Sequence, residues 1–197
     1  MPTITLPDGK QLPFDGPVTG RQVAEKIGPR LAQDALAVKV DGEVRDLSTT
    51  ITKDAKVSII TYRQRDKSVD ADGLLLLRHS AAHIMAEAIQ RVVPKAELVY
   101  GPPLATGFYY DIKFPEDRPL KEADFAAIEA EAKKIAAEDR PFTRYEMSGA
   151  PGLLKLQAEK NKYKVDNAVR ALHAAGVMVA AGDDWAETGV SSDQLEK

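Results

Sequence analysis

Short apolar runs separated by turn residues occupy the first sixty or so residues of the chain. Residues 3–14 predict a β-hairpin that turns at the Asp-Gly pair 8–9, because this dipeptide readily adopts the positive φ angles of a tight turn. A second hairpin is predicted in residues 35–47, around the Asp-Gly pair 41–42. The β-branched run at 57–60 predicts a further strand.

A short helix is predicted between the two hairpins, over residues 21–27. Thr19 and Gln22 have the spacing of a capping box, in which each side chain satisfies a backbone N–H of the first turn. Gly28 and Pro29 are typical of a helix end. The order hairpin, helix, hairpin, strand predicts a small α+β roll with one helix on a mixed sheet, which fits the ubiquitin-like β-grasp fold.

The pattern changes after this module. Residues 63–72 are charged and nearly free of apolar side chains, which is typical of a linker or of the polar first turn of a helix. The next helix is predicted to run to Val93 and to end before Pro94. Its apolar residues lie on more than one face, which predicts a central, largely buried helix: Leu75, Leu76, Ala82, Ile84, Ala86, Ile89 and Val93.

Aromatic side chains follow this helix. Residues 107–111 predict one strand beside it, with Phe108 and Tyr110 on one face and Tyr109 on the other. Three adjacent aromatic residues are explained either by core packing or by a pocket in which a tyrosine hydroxyl orients a ligand.

The last third of the chain alternates helical and extended patterns: an amphipathic helix over 120–137, a strand over 142–147, a helix over 151–160 and a strand over 177–180. Residues 159–165 form the densest basic cluster, which is either a solvated loop or a contact with a phosphate or an ester. Asp166 or Asn167 would cap a helix that runs through Leu172, with His173 near its end.

Two of the three histidines, His79 and His83, lie four residues apart in the predicted central helix. That spacing places both imidazoles on one face, one turn apart. Such a pair could share a metal or one small polar substrate, or could belong to an amphipathic helix whose histidines happen to face a groove.

Composition narrows these possibilities. The chain is 44% hydrophobic and 29% charged, with a formal net charge of −3, so any contact with RNA must come from a local basic patch. It contains no cysteine, which excludes disulfides, thiolate zinc ligands and a cysteine nucleophile within these residues. The longest apolar run, residues 74–77, is too short to cross a bilayer, and the first residues lack a signal-peptide pattern, so we expect no membrane contact and a cytoplasmic protein.

Several stretches resemble one family in uninterrupted order. Residues 2–9, 27–29 and 57–60 resemble the N-terminal TGS module of threonyl-tRNA synthetases, and residues 78–83, 107–111 and 163–165 resemble the editing domain that follows it in those enzymes. The resemblance predicts a TGS domain at 1–62, a linker at 63–72, an α+β editing domain with a central helix on an antiparallel sheet at 73–182, and a poorly structured tail at 183–197. This editing domain is of the alanyl/threonyl-tRNA synthetase type.

The resemblance implies hydrolytic proofreading of Ser-tRNA(Thr), at the ester that joins the amino acid to the 3′ end of tRNA(Thr). His79, His83 and Lys164 match the catalytic positions of that domain: the histidines would hold the terminal ribose or seryl group and assist attack by water, and Lys164 would stabilise the developing charge. Tyr110 and Asp111 would line the substrate pocket. Asp111 is equally well explained as the cap of a turn after the strand.

The chain also departs from the family pattern. The family completes its pocket with a Cys-x-x-x-His element, whereas the corresponding residues 183–189 contain neither residue type. At most two metal ligands would remain, so we expect no metal and an incomplete editing site with at most weak deacylase activity. The chain is expected to be an N-terminal fragment of a threonine–tRNA ligase. The parent would form a homodimer through other domains and would use ATP, Mg²⁺ and a zinc ion in an aminoacylation domain that these residues do not include.

Two alternatives remain open. The first is a non-catalytic TGS module that binds tRNA or has a regulatory role. The second is a free-standing deacylase that edits in trans.

Overall fold

The computed structural model describes residues 1–140, 145, 147 and 149–176. The chain forms two compact units. The first contains Met1–Ser80 and Pro103–Gly107, and the second contains Ala81–Pro102 and the described residues from Phe108 onward. The mixture of helices and sheets confirms the predicted α+β class.

The first unit is built on a five-stranded mixed sheet. Its strands and helices are β1 (Thr3–Thr5), β2 (Gln11–Pro13), β3 (Val18–Thr19), α1 (Gly20–Ile27), α2 (Pro29–Asp34), β4 (Ala35–Val40), β5 (Glu43–Arg45), β6 (Thr50–Ile51), β7 (Ala55–Thr61) and the first part of α3 (Ala71–Val92). The sheet order is β2-β1-β7-β4-β5, with β1 parallel to β7 and the other neighbours antiparallel. Strands β3 and β6 form a separate antiparallel pair.

Both predicted hairpins are confirmed. The strands β1 and β2 pair around a turn in which Gly9 has a φ of 84°, and β4 and β5 pair around Asp41 and Gly42, with φ values of 49° and 93°. Positive φ at both central residues is the geometry of a type I′ turn, whose twist matches that of the strands it joins.

The capping box of α1 is also confirmed. The Gln22 backbone N–H donates to the Thr19 hydroxyl at 3.2 Å, and the Thr19 backbone N–H donates to the Gln22 side-chain oxygen at 2.9 Å. The helix ends at Gly28 as predicted, but Pro29 then begins the short helix α2, where no element was predicted. Proline is well suited to the first helical position because its fixed φ is helical and the missing N–H would have no partner there.

Helix α1 packs on the sheet through Val23 and Ala24, which are fully buried. The core beneath it joins residues from most strands of the unit: Ile4, Leu12, Val18, Val38, Leu47, Ile51, Ala55 and Val57. This single apolar cluster explains why sixty residues suffice for a stable module.

The segment between β7 and α3 is ordered. Arg63 pairs with Val69 in an isolated antiparallel bridge, and the Gln64 backbone N–H donates to the Ser68 carbonyl at 2.9 Å. The Asp66 carboxylate accepts from both the backbone N–H and the hydroxyl of Ser68, at 2.9 and 2.6 Å. The polar residues therefore form a tight turn, and the helix begins immediately after it at Ala71.

Along α3, most of the buried side chains lie in the second half of the helix. Ala82, Ala86 and Ile89 are buried, whereas Leu75 and Leu77 are 41% and 38% exposed. The prediction of a largely buried helix is therefore wrong for its first half. Helical spacing alone does not explain the difference, because Leu75 lies seven residues before Ala82 and so on the same face. The residues of α3 that pack in the core of the second unit are at position 84 and beyond.

After α3 the elements are β8 (Glu97–Tyr100), β9 (Pro103–Leu104), β10 (Gly107–Phe108), β11 (Asp111–Lys113), a 3₁₀ turn (Glu122–Asp124), α4 (Phe125–Ala137), α5 (Gly149–Ala158) and α6 (Lys162–Ala174). Strands β8 and β11 pair antiparallel, with an irregularity between Asp111 and Ile112. The main core of the second unit joins α3, α4 and the residues after α3 through Ala88, Ile89, Val93, Ala96, Ile128 and Ile135. Ile112 of β11 packs against this cluster.

The predicted single strand over 107–111 is wrong. The chain leaves β10 after Phe108 and enters β11 only at Asp111, so Tyr109 and Tyr110 lie between two strands. Strand β10 pairs with β9 whereas β11 pairs with β8, so the two ends of the predicted strand belong to different ladders.

The strands predicted over 142–147 and 177–180, and the tail 183–197, lie outside the described residues. Within the part of the chain that the structure describes, no helix combines the length and apolar character needed to cross a membrane.

Gly20→Ala should destabilise the first unit. A methyl group at Gly20 would lie 2.7 Å from Cγ1 of Val38 and 3.3 Å from the Leu47 carbonyl oxygen, so the packed core must shift to admit it. We expect the free energy of unfolding in urea to fall by about 1–3 kcal/mol, as for other overpacked sites. Gly16→Ala is the matched control, since nothing lies within 4 Å of its added methyl, and should stay within about 0.5 kcal/mol of wild type. A Gly20→Ala protein as stable as the control would contradict this packing.

Candidate functional site

The two histidines both lie on α3 and are solvent-exposed. Their spacing of four residues places them on one side of the helix, one turn apart. His79 belongs to the first unit and His83 to the second.

A groove of about 580 Å³ opens beside His83. Its helical wall is formed by His83, Ala86, Glu87 and Gln90, and Leu98 of β8 contributes the opposite lining. The helical residues are spaced at i, i+3, i+4 and i+7, which is one continuous face of α3. Glu87 and Gln90 were not among the residues singled out from the sequence, although this periodicity from His83 could have identified them.

Glu87 carries a fixed negative charge at this groove. Arg140 donates to both of its carboxylate oxygens at 2.7 Å, and Arg91 donates to one of them at 2.7 Å. The hydrogen bond from Arg140, followed by that from Arg91, lowers the pKa of Glu87. Arg91 also pairs with Glu138 at 2.8 Å, so the carboxylate belongs to a charge network that holds it in one orientation.

Strand β8 lies beside the groove, beside the strand that begins at Asp111 and beside the start of α6. Leu98 lines the His83 groove, pairs with Ile112 of β11 and accepts a hydrogen bond at its carbonyl from the Asn161 side chain at 3.1 Å. Tyr100 of β8 lies opposite Asp111. The structure thus brings the His83 groove, the strand that carries Asp111 and the start of α6 to one short strand.

Tyr110 is half-buried against Gly101. A methyl group at Gly101 would lie 2.3 Å from Cδ2 of the Tyr110 ring, so the ring packs directly on the backbone at that position. Asp111 is exposed and is the first residue of β11. Because it begins a strand, the interpretation of Asp111 as the cap of a turn after the strand is wrong. Tyr110 is therefore held by packing, and Asp111 faces solvent.

Lys164 lies in helix α6, so the interpretation of residues 159–165 as a solvated loop is wrong from Lys162 onward. The helix begins at Lys162 and is capped by Asn161, whose side-chain oxygen accepts from the backbone N–H groups of Tyr163 and Lys164 at 3.1 and 3.3 Å. The predicted caps, Asp166 and Asn167, lie inside the helix. Asn161 takes the capping position because it alone also reaches the Leu98 carbonyl. His173 is in the last turn of α6, as predicted.

The Lys164 ammonium donates to Glu159 at 2.9 Å. Lys155 donates to the other oxygen of the same carboxylate at 3.0 Å. The hydrogen bond from Lys164, and then that from Lys155, lowers the pKa of Glu159. In this conformation the positive charge of Lys164 is directed to a carboxylate of its own unit.

Among the described residues, no group of three or more acidic or histidine side chains could hold a metal ion. The groove thus offers an imidazole, a carboxylate and an amide from one face of α3, whereas Lys164 lies on α6 and is directed to Glu159.

Comparison with known proteins shows what this architecture is similar to. Residues 2–61 match the TGS domain family. The threonine–tRNA ligase of Desulfosudis oleivorans is 46% identical over 169 residues, which is 86% of this chain and 25% of that enzyme. The ligase of Acidiphilium cryptum is 41% identical over 94% of this chain and 28% of its own length, and that of Rhodospirillum rubrum is 48% identical over 73% and 21%.

The chain spans about a quarter of the length of these curated relatives. It contains a TGS domain and is homologous, over most of its length, to the N-terminal part of threonyl-tRNA synthetases. The predicted resemblance is confirmed.

Asn161→Ala should destabilise the second unit. Asn161 is 8% exposed and joins the cap of α6 to β8, so its removal leaves two helical N–H groups and a strand carbonyl without this partner. Loss of a cap costs about 0.5–2 kcal/mol, and the unpaired carbonyl adds to that cost. We expect a loss of about 2 kcal/mol in urea unfolding, near the upper end of that range. Asn167→Ala, at an exposed position inside the same helix, should be neutral or slightly stabilising. Equal effects of the two changes would contradict the assignment of the cap.

Lys164→Met should raise the pKa of Glu159 toward its ordinary value, since the largest contribution to the lowering is removed. A carboxyl titration by NMR measures this, with Lys162→Met as the control. Because the pKa of Glu159 is lower in the folded than in the unfolded chain, the pair stabilises the fold above the unfolded pKa. That stabilisation is lost as pH falls through the folded pKa. An unchanged Glu159 pKa in Lys164→Met would refute the pairing.

Proposed function

We propose, from the homology of this chain to the N-terminal part of threonyl-tRNA synthetases, that it is the region of such an enzyme that hydrolyses mischarged Ser-tRNA(Thr). The parent attaches threonine to tRNA(Thr) using ATP and Mg²⁺, and any zinc belongs to the aminoacylation domain rather than to these residues. The observation that supports the proposal most directly is the face of α3 that presents His83 to a groove lined also by Glu87 and Gln90.

The chemical need for such a region follows from the size of the amino acid. Serine lacks one methyl group of threonine, and a difference of one methyl or methylene in a pocket provides only about 1–3 kcal/mol of discrimination. A second site that hydrolyses the wrong product removes the errors that binding cannot exclude.

The proposed residues divide this reaction between them. His79 and His83 hold the terminal ribose or seryl group and assist removal of a proton from water as its oxygen attacks the ester carbonyl carbon. The bond from that carbon to the ribose oxygen then breaks, the ribose oxygen takes up a proton, and serine and tRNA are released. Lys164 stabilises the negative charge on the carbonyl oxygen, for which it must exchange its pairing with Glu159. Tyr110 and Asp111 line the pocket.

The partner in this proposal is the 3′ end of tRNA(Thr). A chain with a formal net charge of −3 has no general attraction for RNA, so contact depends on local positive groups. A catalytic role in the isolated chain is further limited by the lack of any cysteine for the Cys-x-x-x-His element of the family. We therefore propose at most weak deacylase activity for these residues alone.

Hydrolysis of Ser-tRNA(Thr) by the 197-residue chain tests the proposal. We expect slow release of serine that is lost in the His79→Ala, His83→Ala double variant, since removing a general base or a positioning group typically costs about 10²–10⁴-fold. His173→Ala is the matched control because it removes the third histidine, which lies in the last turn of α6, and should not change the rate.

The outcomes separate the candidate functions. Histidine-independent hydrolysis would contradict the assigned roles, and turnover as fast as that of a complete synthetase would contradict the limit placed on the isolated chain. Salt-dependent binding of the tRNA acceptor stem without any hydrolysis would favour the non-catalytic tRNA-binding module, for which the matched TGS domain is the supporting observation.

A further inference from the structure

We infer that the TGS-containing unit is itself a positioning element for His79, because it fixes the first turns of the helix that carries this histidine. The inference rests on the proposed function, which assigns His79 to the deacylation site. The residues that fix these turns all belong to the first unit, as does His79: Lys39, Asp70, Asp72, Gly73 and Arg78.

The closest approach is at Gly73, which is in the first turn of α3 and is buried. A methyl group there would lie 2.4 Å from the carbonyl oxygen of Thr61, 3.0 Å from its carbonyl carbon and 3.3 Å from Cα of Tyr62. These are backbone atoms at the end of β7, and they cannot rotate away as a flexible side chain would. The helix can therefore lie directly against the strand only because position 73 has no side chain.

Polar contacts fix the same turn. The Lys39 ammonium on β4 pairs with the Asp72 carboxylate at 2.5 Å, with both side chains only partly exposed. The Asp70 carboxylate accepts from the Gly73 backbone N–H at 2.8 Å, and its own backbone N–H donates to the Tyr62 carbonyl at 3.0 Å. The start of α3 is thus joined to two neighbouring strands of the sheet and to the residue that follows β7.

Hydrogen bonds also fix the helix next to His79. Arg78, adjacent to His79, donates from its guanidinium to the carbonyl oxygens of Leu104 and Ala105, the former at 3.2 Å. Contacts at 70–73 and at 78 therefore lie on both sides of the intervening helical turns. Displacing a reacting group by about 1 Å can cost about 10²-fold in rate, so contacts that fix these turns within the first unit bear directly on the position of His79.

Hydrogen exchange and NMR on the full 197-residue chain test this inference with Gly73→Ala, Lys39→Met and Lys39→Arg. Helix propensity alone predicts that alanine at 73 slows amide exchange in α3. We expect the opposite: exchange at residues 74–79 becomes about tenfold faster in Gly73→Ala. The His79 imidazole resonances shift, whereas those of His173 do not. Gly16→Ala, whose methyl meets nothing within 4 Å, is the control and should leave both readouts unchanged.

Lys39→Met should change exchange and the His79 resonances in the same direction, and Lys39→Arg should restore both, because arginine keeps the charge that pairs with Asp72. This pair of variants decides the question if Gly73→Ala does not fold. Slower exchange in Gly73→Ala together with unmoved His79 resonances would overturn the inference, as would a Lys39→Met protein identical to wild type.

None of these readouts uses hydrolysis. If the chain binds no tRNA and hydrolyses no Ser-tRNA(Thr), the proposed function fails while the positioning of His79 is still decided by the exchange data. If hydrolysis depends on the histidines but the Gly73 and Lys39 variants leave His79 unaffected, the positioning inference alone fails.

Discussion

The structure depends on the close approach of α3 to the end of β7, where the helix backbone at Gly73 meets the Thr61 carbonyl directly. A side chain at this position would meet backbone atoms, which have no alternative rotamer. Both partners of this contact belong to the first unit, so the constraint fixes the beginning of α3 within that unit. The salt bridge from Lys39 to Asp72 reinforces a contact that is already determined by shape.

In the second unit the equivalent role belongs to Asn161. It is buried, and it satisfies both the free N–H groups at the start of α6 and the Leu98 carbonyl of β8. Burial of an amide is costly unless its hydrogen bonds are made, so these contacts specify one position for α6 relative to the strand. Strand β8 lines the candidate groove through Leu98 and pairs with the strand that begins at Asp111. Through Asn161 it is also joined to α6, the helix that carries Lys164.

Two carboxylates of the second unit follow a common pattern. Glu87 and Glu159 are each shared between two basic side chains, and each has a lowered pKa. Such pairs on partly exposed helices contribute little to stability individually, but they determine where the charged groups point. Under the proposed function, Lys164 must exchange its pairing with Glu159 before it can stabilise charge on the substrate.

Local patterns determined much of this protein. The Asp-Gly turns, the capping box at Thr19 and Gln22, and the order of elements in the first unit are short-range features, governed by backbone preferences within a few residues. The spacing of His79 and His83 likewise determines their common helix face. Tertiary structure decided the rest: the interruption at Tyr109 and Tyr110, the exposure of the leucines at the start of α3, and the choice of Asn161 over Asp166 or Asn167 as cap. These features depend on residues that are distant in the sequence. The side chain of Asn161, for example, also reaches the Leu98 carbonyl, sixty-three positions away, and no local sequence pattern contains that partner.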